Sequence, residues 1–214
     1  MMGVALTVLF DLDGTLIDSI ELIWSSYRHT ALAHTARAPD DEFWLAGLGR
    51  PLAWQFSQLT DDPAEVQRMI VTYRAHNQAH HDAMVKHYPG ALEAVRVLKA
   101  RGARVAVVTS KVRARAHRGL AFCGFDGLFD VVIGSDDVQR PKPDAEPVQR
   151  ALDALGAPPE SAIMVGDSPH DIAAGRAAGV RTAAALWGPF PRSWLEREPP
   201  DYWLVEPSDI ARLS

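Results

Sequence analysis

The hydrophobic pattern of the chain after Met84 alternates between two kinds of segment. Short apolar runs rich in β-branched residues are separated by stretches with helical spacing, and the runs include Arg104–Thr109, Phe129–Gly134, Ser161–Gly166 and Val180–Leu186. This alternation is typical of a parallel sheet with helices on both faces. We therefore predict an α/β fold whose ligands bind where the strands end.

A long stretch of helical periodicity interrupts this pattern after the first strand. From Ile17 to Ala83 apolar residues recur at the spacing of a helix face, and Gly47–Pro51 breaks the pattern in its middle. We predict a Rossmann-like core domain formed by residues 1–16 and 84–214, with a small all-helical cap domain, residues 17–83, inserted after the first strand. Such a cap is able to open and close over the strand ends.

Composition narrows the classes of function. The 214 residues carry a formal net charge of −5 with scattered lysines, which disfavours a nucleic-acid partner. Cys123 is the only cysteine, so the chain has no intramolecular disulfide and fits a reducing compartment. The apolar start Met1–Phe10 runs into an aspartate and is better explained as a strand than as a signal peptide. We expect a cytoplasmic protein without membrane association, a monomer or homodimer.

Two acidic residues end the first apolar run. Asp11 and Asp13 follow Val8–Phe10, and Gly14 comes directly after them. Side chains alternate along a strand, so both carboxylates point the same way, and glycine lets the backbone turn sharply. One carboxylate is then able to attack phosphorus and bind a divalent cation while the other donates a proton. Taken alone, the Asp-X-Asp pattern also has an ordinary explanation as a polar strand end with an Asp-Gly turn.

Three further signals lie at the ends of predicted strands. Thr109 and Ser110 offer hydroxyl and backbone N–H groups to a phosphate oxygen, or form an ordinary helix N-cap. Lys142 is held between two prolines, either as a fixed ammonium beside an anionic centre or as an exposed loop lysine. Asp167 and Asp171, one helical turn apart, offer oxygen ligands to a hard cation or form an acidic helix start.

These segments occur in the order of four known motifs. The motif residues are Asp11-Leu12-Asp13-Gly14-Thr15-Leu16, Thr109, Lys142 and Gly166-Asp167-Ser168-X-X-Asp171. Together they resemble the haloacid dehalogenase superfamily of phosphohydrolases, and the most similar subgroup is that of the phosphoglycolate phosphatases and their pyrophosphatase relatives. The resemblance implies a phosphatase that acts on a small phosphorylated metabolite.

The resemblance also implies a role for each motif residue. Asp11 is the expected nucleophile that forms an aspartyl-phosphate, and Asp13 is expected to protonate the leaving group and then activate water. Thr109 and the amide of Ser110 are expected to bind the transferring phosphoryl group near Gly14.

The same resemblance implies a cation site beside the nucleophile. Lys142 is expected to neutralise charge. Mg²⁺ is the expected cofactor, held by the Asp11 carboxylate, the Asp13 backbone carbonyl and Asp167, with Asp171 positioning metal-bound water or Lys142.

Other activities of similar proteins fit less well. A dehalogenase needs no proton donor for its leaving group, so Asp13 argues against that reading. A phosphonatase uses a cap lysine, and residues 17–83 contain none. A sugar phosphomutase shares all four motifs and stays open, and so does a non-catalytic phosphate-binding module.

The predicted cap gives little information on the substrate. Arg50, in the Gly47–Pro51 break, is a candidate for contacting a distal anionic group, or is a solvated surface arginine. We interpret four histidines as a solvated helix face rather than a zinc site: His76, His80, His81 and His87. We interpret three tryptophans as part of the cap core: Trp24, Trp44 and Trp54. Phosphoglycolate, pyrophosphate, a nucleotide and a sugar phosphate all remain possible substrates.

Overall fold

The computed structural model describes residues 5–35 and 37–214. The first four residues of the predicted first strand, Met1–Val4, lie outside the described residues. Within them the strands are β1 (Thr7–Phe10), β2 (Ile17–Asp18), β3 (Lys86–His87), β4 (Arg104–Val108), β5 (Val131–Ile133), β6 (Ala162–Gly166), β7 (Arg181–Ala185) and β8 (Tyr202–Leu204).

The helices cover most of the remaining chain. They are α1 (Ile20–Thr35), α2 (Asp41–Gly47), α3 (Leu52–Ser57), α4 (Pro63–Met84), α5 (Ala91–Ala100), α6 (Arg113–Phe122), α7 (Glu146–Leu155), α8 (Pro169–Ala177) and α9 (Arg192–Leu195). Short 3-10 turns lie at Ser135–Asp137, Pro159–Ser161 and Pro207–Arg212. Among the described helices, none combines the length and the apolar character that crossing a bilayer requires.

Six strands form one parallel sheet in the order β5-β4-β1-β6-β7-β8. Strand β1 lies between β4 and β6, and Phe10 is opposite Val107 on one side and Val165 on the other. The three central strands therefore end at nearly the same level. This arrangement confirms the predicted Rossmann-like α/β fold, and it brings the residues that follow each strand to one edge.

Helices cover the sheet on both faces, which explains why its central strands read as continuous apolar runs. Val8 and Phe10 of β1 pack in the layer that contains α5 and α6. Leu9, on the opposite face, packs in the layer that contains α7 and α8. Burial on both sides fixes the strand register, and with it the position of the acidic residues that follow β1.

The four strands predicted after Met84 are correct to within about two residues at each end. Helix α6 begins at Arg113, two residues after Lys111, whose N–H donates to the Thr109 hydroxyl. Helix α7 ends at Leu155 and is followed by Gly156 in the left-handed region at φ 58°. The edge strand β8 pairs with β7.

The inserted segment is helical, with one correction at its start. Ile17 and Asp18 form β2, which pairs antiparallel with β3, so the helix begins at Ile20. Trp44 is fully buried and stacks on Tyr27 with ring centroids 4.8 Å apart, which confirms its core position. The core assignment of Trp54 is wrong, since this ring is 36% exposed. The division into core and cap domains stays a prediction.

Candidate active site

A buried lysine joins the acidic residues that follow β1 and β6. The Nζ of Lys142 donates to Asp11 Oδ1 at 2.7 Å, to Asp171 Oδ1 at 2.6 Å and to the carbonyl of Val108 at 3.1 Å. Lys142 is 3% exposed, Asp11 7% and Asp171 fully buried. The alternative of an exposed loop lysine is therefore wrong, and Lys142 lies beside the predicted nucleophile.

The carboxylates outnumber the cations in this centre. Burial raises the pKa of Asp11 to about 7, repulsion from Asp171 and Asp13 adds to the rise, and Lys142 opposes it. Burial and the neighbouring Asp11 and Asp171 also raise the pKa of Asp167. Burial disfavours the Lys142 ammonium, but its two carboxylate partners outweigh this effect and raise its pKa. The single ammonium of Lys142 thus lies among three buried carboxyl groups, those of Asp11, Asp167 and Asp171.

A divalent cation fits this excess of negative charge. Among the described residues, Asp11, Asp167 and Asp171 form the one group able to hold a metal ion, with ligand oxygens within 4.8 Å of one another. Carboxylate oxygens are the ligands that Mg²⁺ prefers. Both oxygens of Asp171 already accept hydrogen bonds, Oδ1 from Lys142 and Oδ2 from the amide and hydroxyl of Ser168. Asp171 therefore contacts Lys142 directly, and its expected role stays a prediction.

The turn after β1 is shaped around Asp167. Gly14 has φ +92°, and a Cβ at this position would lie 2.7 Å from Asp167 Oδ2. The hydroxyl of Thr15 donates to Asp167 Oδ1 at 2.7 Å. A Cβ added to Gly188 would lie 2.3 Å from the Cβ of Asp167. The sequence predicted the sharp turn at Gly14. It did not predict the hydrogen bond from Thr15 to Asp167, although Thr15 lies within the same motif.

Asp13 has partners that the sequence interpretation missed. Its Oδ1 accepts a hydrogen bond from Lys111 Nζ at 2.6 Å and another from the Ser19 hydroxyl at 2.5 Å. Lys111 follows the predicted phosphate-binding residues directly, and this position was the only signal available for it. In this structure the expected proton donor is held by an ion pair.

Thr109 and Ser110 lie at the carboxyl end of β4, beside Asp11. Thr109 is 5% exposed and lines the same cavity as Asp11. The hydroxyl of Ser110 donates to the carbonyl of Gly49 at 2.5 Å. This contact joins the strand end to the loop between α2 and α3. The predicted phosphate contact of Ser110 is through its amide, and the hydroxyl serves the loop instead.

A cavity of about 340 Å³ lies between the strand ends and the inserted helices. Arg50 lines it from the α2–α3 loop, with its guanidinium carbon 4.5 Å from the ring centroid of Trp54. Within the described chain, Arg50 Nε is buried without a hydrogen-bond partner. Burial and the charge of Arg50 lower the pKa of the nearby His170 to about 4, which keeps this ring neutral at pH 7. The predicted distal contact of Arg50 stays a prediction.

Histidine rings of α1 and α4 stack on one another. The ring of His76 lies 4.1 Å from that of His80 and 4.4 Å from that of His29. Burial and these two neighbours lower the pKa of His76. The interpretation of a solvated helix face is wrong for His81, which is 5% exposed.

The sequence matches a family model for haloacid dehalogenase-like hydrolases over residues 8–185. The chain is a haloacid dehalogenase-like hydrolase. This hydrolase is 43% identical to pyrophosphatase PpaX of Halalkalibacterium halodurans over 204 residues, which cover 95% of the chain and 94% of the relative. It is 45% identical to pyrophosphatase PpaX of Bacillus cereus strain G9842 with the same coverage.

Solved structures agree with this family. A haloacid dehalogenase-like hydrolase from Bacteroides fragilis superposes with a TM-score of 0.90 at 28% identity, covering 96% of this hydrolase and 99% of that chain. A haloacid dehalogenase-like family protein from Streptococcus pneumoniae has a TM-score of 0.84 at 24% identity, covers 97% of each chain and shows the fold alone. The chain is an enzyme, a hydrolase of the phosphatase type.

Proposed function

We propose that this hydrolase is a Mg²⁺-dependent phosphatase that transfers the phosphoryl group of a small metabolite to Asp11 and then to water. The observation that carries the proposal is the buried contact of Asp11 with Lys142, beside Asp167 and at the floor of the cavity. A carboxylate held by an ammonium in this way presents its second oxygen in a fixed direction. Positioning and charge neutralisation supply most of the catalysis in phosphoryl transfer.

The reaction has two steps on the residues of this chain. An Asp11 oxygen attacks phosphorus, the P–O bond to the leaving group breaks, and Asp13 gives the leaving oxygen a proton. Asp13 then accepts a proton from water as the water oxygen attacks the aspartyl-phosphate, which releases phosphate and restores Asp11. Lys142 holds Asp11 throughout, while Thr109 and the Ser110 amide bind the phosphoryl oxygens.

Mg²⁺ bound by the Asp11 carboxylate, the Asp13 carbonyl and Asp167 would neutralise charge on the phosphoryl oxygens. The fit rests on the excess of buried carboxylates over ammonium groups in the centre. Asp171 keeps Lys142 in place beside this site.

Pyrophosphate is the substrate that the sequence relatives favour, because the PpaX proteins at 43% and 45% identity are named pyrophosphatases. A phosphoglycolate-like monoester is the second candidate, and the loop arginine Arg50 would contact its distal carboxylate. We propose that the enzyme acts in the cytoplasm, where the single buried Cys123 stays reduced.

The test is phosphate release from pyrophosphate, phosphoglycolate, a sugar phosphate, a nucleotide and an aryl phosphate, with Mg²⁺ or EDTA. We expect Mg²⁺-dependent turnover in the wild type and in Asp126→Asn, an exposed control, and none in Asp11→Asn. Acid-quenched wild type should gain the mass of one phosphoryl group on the peptide that contains Asp11. Turnover that survives Asp11→Asn would contradict the mechanism. A product that appears only with a bisphosphate activator would identify a mutase.

A further inference from the structure

A groove between α4 and α6 leads away from the reaction cavity. It has a volume of about 190 Å³, and we define this cationic groove by its lining residues: Asn77, Gln78, His81, Lys111, Ala114, Arg115 and Arg118. Asn77, Lys111 and Arg115 line the reaction cavity as well, so the two spaces adjoin. The groove therefore begins at Lys111, the residue that contacts Asp13.

Its cations come from α6 and from the turn before it. Arg115 and Arg118 are three residues apart on α6, the spacing of neighbours on the surface of a helix, and Lys111 lies in the turn that precedes Arg113. Arg74 of α4, which lines the reaction cavity, meets these cations because Arg115 Nη1 donates to its carbonyl at 3.5 Å. The cations extend from the reaction centre outward.

Among the described residues, two of these guanidinium groups have no acidic partner. Lys111 pairs with Asp13 and Arg118 pairs with Asp82 at 2.9 Å. In the described chain, neither Arg74 nor Arg115 forms an ion pair. Burial and the like charges of Arg74 and Arg118 lower the pKa of Arg115. Adjacent unbalanced cations repel one another, and a bound anion removes that repulsion.

The remaining ion pairs leave Arg115 as the unbalanced cation of the groove. His81 is 5% exposed, and its Nδ1 lies 2.7 Å from Asp82 Oδ1, the carboxylate that also pairs with Arg118. Its Nε2 is buried and faces Gly119, so it is not accessible from the groove.

We propose that the cationic groove binds the leaving group of an inorganic polyphosphate chain longer than pyrophosphate. The terminal phosphoryl group lies at Asp11, and the following phosphates contact Lys111, Arg115 and Arg118 in turn. The bond that breaks is the phosphoanhydride between the terminal and the second phosphate. The shortened chain takes a proton from Asp13, and water then releases orthophosphate from Asp11. The proposal rests on the proposed function and extends its substrate class.

The geometry favours a chain over a compact ester. Lys111 and Arg115 line both spaces, whereas Arg118 lines the groove and not the reaction cavity that contains Asp11, so a compact monoester held at Asp11 does not occupy the groove. Guanidinium groups bind phosphate oxygens in pairs of charge-assisted hydrogen bonds, which suits successive phosphates of a linear anion. Phosphates bound there also draw Lys111 away from Asp13 and leave this carboxyl ready for the leaving oxygen.

The kinetic test compares tripolyphosphate, pyrophosphate and an aryl phosphate as substrates of wild type, Arg115→Ala and Arg113→Ala. Arg113 is the matched control, because it lies on the same helix, is exposed and pairs with Asp137. We expect Arg115→Ala to lower kcat/KM for tripolyphosphate at least about tenfold and for the aryl phosphate at most about twofold. Arg115→Lys should restore part of the loss. Equal losses on both substrates would overturn the proposal.

A binding test separates this proposal from the proposed function. Tripolyphosphate is titrated in EDTA into the non-reactive Asp11→Asn enzyme, with and without Arg115→Ala and with a thermal unfolding check of each variant. We expect the affinity to fall at least about tenfold on loss of Arg115 and to weaken with added salt. If Arg115→Ala leaves the affinity for tripolyphosphate unchanged, the proposal that the groove binds polyphosphate is overturned, even if turnover of other substrates is confirmed. If Arg115→Ala lowers this affinity, the proposal is supported, even if the wild type turns over no substrate.

Discussion

Replacing Lys142 by methionine tests whether its ammonium holds the active centre together. Methionine keeps much of the length and apolar volume of the lysine stem and removes only the charged head. The change leaves Asp11 and Asp171 without their shared partner, and it leaves the carbonyl of Val108 without a donor. All of this happens in a site where Lys142 is 3% exposed, so water cannot replace the lost contacts.

The expected loss follows from the burial of the pair. Removing one partner of a buried ion pair typically costs ~3–5 kcal/mol of the free energy of unfolding. For a chain of this length each kcal/mol lowers Tm by ~2–4 °C, so we expect a fall of roughly 6–20 °C. The control is Lys99→Met, because Lys99 pairs with Asp130 at 2.6 Å with side chains 31% and 38% exposed. An exposed pair contributes only ~0–1 kcal/mol.

The assay is thermal and urea unfolding at pH 7.5 in EDTA, so that no cation replaces the ammonium. Activity should be lost in Lys142→Met and kept in Lys99→Met. A second variant, Asp171→Asn in the Lys142→Met background, removes one of the unpaired charges and should recover part of the stability. If Lys142→Met costs no more than Lys99→Met, or if the double variant is less stable still, the electrostatic account of this centre is incorrect.

Three further changes test other parts of the structure. Gly14→Ala should lower the free energy of unfolding by more than ~1 kcal/mol and abolish activity, because the new Cβ would lie 2.7 Å from Asp167 Oδ2. The control is Gly127→Ala, at φ 70° with no atom within 4 Å of the new Cβ, which incurs only the cost of the backbone conformation. Unfolding and turnover measurements compare the two variants. Backbone N–H groups lower the pKa of Glu146 from 4.5 to about 2, so its stabilisation is present above pH 4.5 and lost as the pH falls to about 2. Glu146→Gln should therefore flatten the dependence of Tm on pH between pH 4.5 and about 2. An unchanged slope in this range would contradict the stabilising role of the Glu146 carboxylate. Arg50→Ala should raise KM or lower kcat for the natural substrate more than for an aryl phosphate, and equal losses would argue against recognition by Arg50.

The sequence determined the sheet and the position of its acidic edge. Each central strand is a continuous apolar run that ends in a polar residue, and parallel strands packed on both sides must end at the same edge. Asp11 and Asp167 could therefore be placed together before any contact was known. Glycine at position 14 was likewise readable, because a sharp turn after a strand requires a residue without a side chain.

Contacts between residues far apart in the sequence could not be predicted from the sequence pattern. The two-residue strand at Ile17–Asp18 has too few residues to show a period and exists only because β3 returns beside it. Trp54 and His81 each follow helical spacing, but only the neighbouring elements decide that the first is exposed and the second buried.

The finer chemistry of the site was decided by the same packing. The ion pair of Lys111 with Asp13 joins residues 98 positions apart, and that of Lys142 with Asp11 joins residues 131 apart. The approach of Arg115 to Arg74 spans 41 positions. Local sequence sets which side chains are available and along which element they lie. The distance between two charged groups is set by how the helices pack on the sheet, and the tertiary structure alone determines it.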